Sequence, residues 1–246
     1  MSRENLTRPV LDSVGRLENH DATSEAEMAS ITVGVIGGTG HQGRGLAYRW
    51  ANAGLSVAIG SRDVARAAAA AKELRAESGS GTVIGLDNAT CAEISDVVLI
   101  AVPWAAHDET LETLRPELAG KIVIDCVNPL GFDRNGPYAV DVPGVAVRAA
   151  DLLPESRVVA AFHHVSAVLL SDPKVSSIDL DVLVLGDDPN ANDVVCRLAD
   201  AIPGVRGIHG GRLRNASQVE ALTASLIAIN HRYKIHAGLR ITDSHN

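Results

Sequence analysis

The sequence predicts an α/β protein: a parallel-sheet domain followed by a small C-terminal domain. Three observations carry this expectation. From Ile31 onward, apolar strand-like runs alternate with helical segments. A glycine-rich turn, Gly34 to Gly43, stands between the first such run and the first helix. The chain has 246 residues, of which 46% are hydrophobic, enough core for one α/β domain of ordinary size and a smaller appendage.

Taken in order, residues 1–30 are polar and mixed in charge with no sustained period, and are expected to form a flexible extension. Met28 lies just before the first strand run and is a candidate natural start. "ITVGVI" then reads as a buried strand, "GGTGHQGRG" as a turn entering a helix, and "LAYRWANAG" as a helix closed by Gly54. "SVAIG" is the second strand and the alanine-rich "VARAAAAAKELRAE" the second helix. "TVIGL", a short helix around "NATCAEI", the strand "DVVLIAV", a break at Pro103, a helix from His107 to Leu118 and the strand "KIVIDCV" follow. "VRAADLLP" reads as a helix and "RVVAAF" as a sixth strand. Such alternation predicts a parallel sheet covered on both faces. Beyond Phe162 the pattern loosens into a strand in "LDVLVLGDD", a helix in "NDVVCRLADAI" and a long helix in "RNASQVEALTASLIAINHRYKIHAGL". The domains are therefore expected over 31–170 and 171–246.

The bulk composition excludes several classes. With 30 acidic against 22 basic residues and a net charge of −8, a general attraction to nucleic acid or anionic lipid is not expected, so local groups must hold any anionic ligand. Cys91, Cys126 and Cys196 are odd in number and far apart, which suits free thiols in a reducing cytosol. No apolar run approaches the roughly 18–20 residues of a membrane span, and the N-terminus lacks a secretory signal's apolar stretch. A cytoplasmic protein is expected.

Gly38-Thr39-Gly40-His41-Gln42-Gly43 matches G-x-G-x-x-G between a strand and a helix, the context in which backbone amides approach a dinucleotide pyrophosphate. About twenty residues on, where such folds usually place a carboxylate against a ribose 2′-hydroxyl, the chain carries Ser61-Arg62. A carboxylate would repel a 2′-phosphate, whereas Ser61 can donate to it and Arg62 can grip it with a charged fork. The expected cofactor is NADP. Arg66, one helical turn further, either closes the same pocket or is a solvated helix charge; Thr39 can add its hydroxyl. Asp63 reads as a first-turn acid of the second helix.

Ligands of open parallel sheets lie beyond the carboxyl ends of the strands. Val102-Pro103-Trp104 after strand four and Val127-Asn128-Pro129 after strand five are thus candidates for the nicotinamide end, Trp104 being alternatively a core residue. His163 follows strand six at the same end, while His164 serves packing or a local hydrogen bond. The adjacent His163 and His164 point to opposite sides of extended backbone, and His231 and His236 lie off one helical face, so no metal site is expected. Nucleophile-elbow, H-E-x-x-H and Walker patterns are absent from the sequence.

Together, "GVIGGTGHQGRGLAYRWANAGLSVAIGSRD", "VPW", "KIVIDCVNPL", "VVAAFHHVSA", "LGDD" and "VEALT" resemble the F420-dependent NADP reductases, from about Ile31 to Leu239. The resemblance implies a Rossmann-like N-terminal domain with a small C-terminal domain, usually dimeric, that moves hydride between NADP(H) and the deazaflavin coenzyme F420 bound at the domain interface. It puts the 2′-phosphate contacts on Thr39, Ser61, Arg62 and Arg66. The nicotinamide and deazaflavin surroundings fall on Trp104, Asn128, His163 and Val165, with His163 the candidate to orient the ring or take a proton. The long last helix, with Val219, Leu222, Leu226, Ile229 and Tyr233 on one stripe, carries more apolar surface than a small lobe covers, which predicts a homodimer. Two other readings share the fold: an NADP-dependent reductase of a small imine or carbonyl compound, and a non-catalytic NADP-binding sensor.

Overall fold

The computed structural model describes residues 28, 30–78 and 81–242. Nearly all of the extension expected over residues 1–30 therefore lies outside the described residues; Met28 packs against the apolar core.

The first five strands form as their apolar runs require. They are β1 (Thr32–Ile36), β2 (Ser56–Ser61), β3 (Val83–Asp87), β4 (Val97–Ile100) and β5 (Ile122–Asp125). Between them lie α1 (His41–Asn52), α2 (Val64–Glu77), α3 (Asn88–Ile94) and α4 (His107–Leu118). A hairpin, β6 (Leu130–Asp133) with β7 (Gly136–Ala139), precedes α5 (Val145–Leu152) and β8 (Arg157–Ala160). The chain continues through α6 (Ala167–Ser171), β9 (Leu180–Gly186), α7 (Pro189–Asp200), β10 (Val205–Gly211) and α8 (Ala216–Tyr233).

Eight strands make one sheet in the order β10-β9-β8-β5-β4-β1-β2-β3. All neighbours are parallel except β8 and β9, where Val159 faces Gly186 and Ala160 faces Leu185 in antiparallel register. The sheet thus runs on across the boundary expected at residues 170 and 171, and β9 and β10 extend it.

Both sheet faces are buried, which is why the strands are apolar at consecutive positions and not at alternate ones. Val97 and Leu99 enter one core with Leu46, Trp50, Leu74, Leu170 and Leu198, from α1, α2, α6 and α7. Val98 and Ile100 enter the other with Leu111, Leu118, Ala149 and Val219, from α4, α5 and α8. The strand order reverses around β1, whose neighbours are β2 on one side and β4 on the other. That reversal opens a crevice beyond the carboxyl ends of β1 and β4.

A buried cation ties the crossing segment to the body. The Arg49 guanidinium donates to the carbonyls of Leu169, Leu170, Asp172 and Val175, all in or just after α6. Burial pushes its pKa down from the ordinary arginine value, and the four acceptors answer its donors.

Candidate active site

The site begins at the turn out of β1. Gly37 has φ of +86°, and a Cβ there would stand 2.4 Å from the Ala101 carbonyl oxygen, so only glycine lets the turn lie against the end of β4. Its carbonyl accepts from the Gly40 amide at 2.9 Å. Gly40 is the N-cap of α1 and supplies no side-chain cap. The first-turn amides of the helix therefore lack internal acceptors and make its N-terminus a site for an anion. A Cβ on Gly43 would meet the Gly37 oxygen at 2.8 Å, which keeps helix and turn in close contact. Gly38 is buried against Ile59, and His41 is exposed at the helix start.

On one side of this turn lies a cavity of about 440 Å³ lined by Thr39, Gly40, Ser61, Arg62, Arg66 and Asn88, among others. Ser61 is buried at the end of β2, and Arg62 and Arg66 are exposed at its rim. Among the described residues neither guanidinium is held by a carboxylate. Asp63 is the N-cap of α2, accepting from the amides of Ala65 (2.9 Å) and Arg66 (3.2 Å), so its charge is engaged by the helix. This end of the crevice is cationic.

On the other side is a cavity of about 410 Å³. It gathers Gln42, Val102, Trp104, Val127, Asn128, His163 and Val165 from four different segments, and α8 adds Thr223 and Asn230. Both cavities are walled by Ala101, Val102 and Pro103. They are two ends of one groove across the carboxyl edge of the sheet. Trp104 is 39% exposed and so belongs to the cavity wall, not the core.

The chain reaches His163 through a strained residue. Phe162 has φ of +64°, a left-handed conformation that is costly for a bulky side chain. Its ring is fully buried edge-on to Trp50, centroids 5.6 Å apart, and its carbonyl accepts from Gln42 Nε2 at 3.2 Å. The next carbonyl, of His163, accepts from Asn128 Nδ2 at 2.8 Å and Thr223 Oγ1 at 3.1 Å. The His163 ring is 4% exposed, and neither of its nitrogens makes a well-formed hydrogen bond, the Cys126 backbone being the polar group that lies near it. Burial pushes its pKa down to about 4, so the ring is neutral near neutral pH. His164 Nε2 instead donates to the Asp181 carbonyl at 2.7 Å, a local hydrogen bond.

Three contributors had weaker signals in the sequence. Gly37 was one of two adjacent glycines, and only its dihedral singles it out. Thr223 and Asn230 are seven apart on a mostly apolar helix, a polar stripe that could have marked a cavity wall. The third, a buried pair of His107 and Asp125, joins residues from different elements.

Comparison with known proteins supplies the remaining findings. Residues 32–129 match a family model described as NADP oxidoreductase coenzyme F420-dependent. The chain is similar to the F420-dependent NADP reductase of Methanothermobacter marburgensis, 39% identical over 222 residues, covering 87% of this chain and 99% of that one. The corresponding protein of Methanocaldococcus jannaschii is 38% identical over 222 residues, with 87% and 99% covered. Among solved structures, a putative F420-dependent NADP reductase from Arthrobacter sp. FB24 superposes with a TM-score of 0.72 at 26% identity, covering 87% of this chain and all of that one.

Proposed function

This chain belongs to the F420-dependent NADP reductases, oxidoreductases that pass hydride between NADP(H) and coenzyme F420, and from that premise we propose how its residues divide the work. Thr39, Ser61, Arg62 and Arg66 hold the 2′-phosphate at the cationic end of the groove. The uncapped N-terminus of α1 and the Gly37–Gly43 turn take the pyrophosphate. Gln42, Val102, Trp104, Val127, Asn128, His163 and Val165 surround the two rings. The observation that carries this reading is the single groove, with two unengaged guanidiniums at one end and, at the other, a buried histidine whose ring makes no well-formed hydrogen bond.

When bound, NADPH supplies a hydride that F420 accepts together with a proton from the medium. The chain's own part is to align the rings and exclude water. His163, neutral and with no well-formed hydrogen bond at either ring nitrogen, orients the ring edge by a hydrogen bond; its low pKa makes it a poor store for a proton, so solvent fills that role. Val165, 4% exposed, gives the cavity an apolar wall. Asn128 and Thr223 fix the His163 backbone. The groove divides the labour between a dinucleotide-binding part over 31–170 and a part over 171–246 whose α8 closes the F420 side.

The protein acts in the cytoplasm as a homodimer in this reading. No helix among the described residues is long and apolar enough to cross a membrane. Phe132 (65% exposed) and Tyr138 (49%) lie on the β6–β7 hairpin, which packs on α8, and Tyr233 (68%) ends that helix; a second copy would cover them. The direct test of the catalytic reading is the F420 absorbance after NADPH addition, which should fall; a lasting absorbance with both compounds bound would refute it.

A further inference from the structure

Behind the ring end of the groove, one imidazole stands between two carboxylates. His107 Nε2 is 2.7 Å from Asp125 Oδ2, and His107 Nδ1 is 2.9 Å from Asp108 Oδ1. Ionised carboxylates only accept hydrogen bonds. Both contacts are therefore hydrogen bonds only when the ring carries a proton on each nitrogen; a neutral ring would set a lone pair against an anionic oxygen. The His107 ring and Asp125 are almost wholly buried, whereas the Asp108 side chain is 46% exposed; a neutral ring would keep one N–H on Asp125, turn its lone pair to Asp108 and leave Asp125 a buried anion with no cation beside it.

The charged groups around the ring are few. Asp108 comes from its own helix, α4, and its other oxygen accepts from Arg148 Nε of α5 at 3.0 Å. Asp125 comes from β5. Glu220 of α8 lies near enough to feel both His107 and Asp125, but its oxygens accept from the amides of Val145 (2.9 Å) and Ala146 (3.1 Å). The imidazole thus joins α4 to β5, and Asp108 carries the contact on to Arg148 of α5.

What the pair holds is the frame of the groove. His107 follows directly on the short turn Trp104–Ala106, whose approach, Val102 and Pro103, walls both cavities. Asp125 Oδ1 accepts from the Val127 amide at 2.9 Å, and Val127 and Asn128 form the facing wall of the ring cavity. The imidazolium ties one wall to the other.

We propose that doubly protonated His107 is a positioning residue for hydride transfer, clamping the Val102–Trp104 wall to the Val127–Asn128 wall, and that its deprotonation as pH rises loosens the ring end of the groove. The inference rests on the ring-cavity assignment made above. Burial opposes the charge on His107, but Asp125 and Asp108 outweigh it and hold the pKa above the usual histidine value. The charged clamp therefore persists to higher pH than an ordinary histidine would hold it, and opens as pH rises further. The 2′-phosphate end, built on β2 and α2, does not depend on it.

The experiment follows single-turnover hydride transfer from NADPH to F420 on the full chain between about pH 6 and pH 10, with NADPH binding and the ¹⁵N shifts of His107 measured in parallel. The transfer rate should fall about tenfold with rising pH through one break above the ordinary histidine value, coincident with the His107 titration, while NADPH affinity changes less than about twofold. Asp108→Asn removes one of the two anions and should move the break and the titration to lower pH together. His107→Gln should give the low rate at every pH. Should that variant not fold, Asp108→Asn decides alone, because the Asp108 side chain is 46% exposed. A wild-type rate without a break, or a break that stays in place in Asp108→Asn, overturns the clamp and leaves the ring-cavity assignment standing. Absence of transfer at every pH overturns both.

Discussion

Gln42 Nε2 donates to the Phe162 carbonyl at 3.2 Å, joining residues 120 positions apart. The bond fastens the helix behind the glycine turn to the strained end of β8, and so fixes where His163 stands relative to that turn.

The first prediction concerns His163. His163→Ala should slow hydride transfer by roughly ten- to a hundredfold, the cost of a misplaced ring, with little change in NADPH affinity, whereas His164→Ala should affect stability alone. The group also makes a stability prediction. Its pKa is about 4 in the folded chain against about 6.5 unfolded, so its contribution is present above about pH 6.5 and is lost as pH falls toward 4. Thermal melts of wild type and His163→Ala over that window should diverge at neutral pH and converge in acid; parallel curves would contradict the assignment of a neutral buried ring.

The second concerns cofactor choice. Arg62→Ala should weaken NADPH binding by about 1.5–3 kcal/mol, the worth of a hydrogen bond to a charged group, and NADH binding far less. Titration of both nucleotides checks this, and equal losses would remove Arg62 from the phosphate pocket.

The third separates two glycines. Gly37 and Gly54 share nearly the same dihedral, φ of +86° and +87°. A Cβ on Gly54 meets nothing within 4 Å, whereas one on Gly37 meets the Ala101 carbonyl. Gly54→Ala should therefore cost only about 1–2 kcal/mol of backbone strain and bind NADPH normally. Gly37→Ala should be less stable than that and lose NADPH binding. Melting curves with fluorescence titrations decide, and normal NADPH affinity in Gly37→Ala would sink the role given to the turn.

Assembly is the subject of the fourth. If a second copy covers the exposed tyrosines and Phe132, Tyr233→Glu combined with Phe132→Glu should shift the mass by light scattering from dimer to monomer at micromolar concentration. A wild-type monomer under those conditions would contradict the dimer.

Much of the sheet could be read directly from the chain, because strands buried on both faces leave unbroken apolar runs: Val97–Ile100 feeds two cores at once. Ser61 and Arg62 could be placed from the chain at the end of β2, and there they line one cavity with Thr39 and Gly40. The misses have physical causes. β10 is an edge strand whose "VRGIHGG" holds three glycines and two polar side chains, and β6 and β7 are four residues each, with Gly131 and Pro137 inside them. That β9 would join β8 in antiparallel register is a matter of tertiary pairing with no periodic trace. The partnership of His107 with Asp125, 18 positions on, is likewise invisible where the sequence shows only a helix start.

The central claim is direct hydride transfer from NADPH to F420 within one groove. It is tested by supplying NADPH deuterated at the transferable position, in ordinary water, and determining the mass of the reduced F420. The account predicts one deuterium retained on the deazaflavin ring at every turnover. Reduced F420 without the label, or label recovered in the solvent, would contradict it.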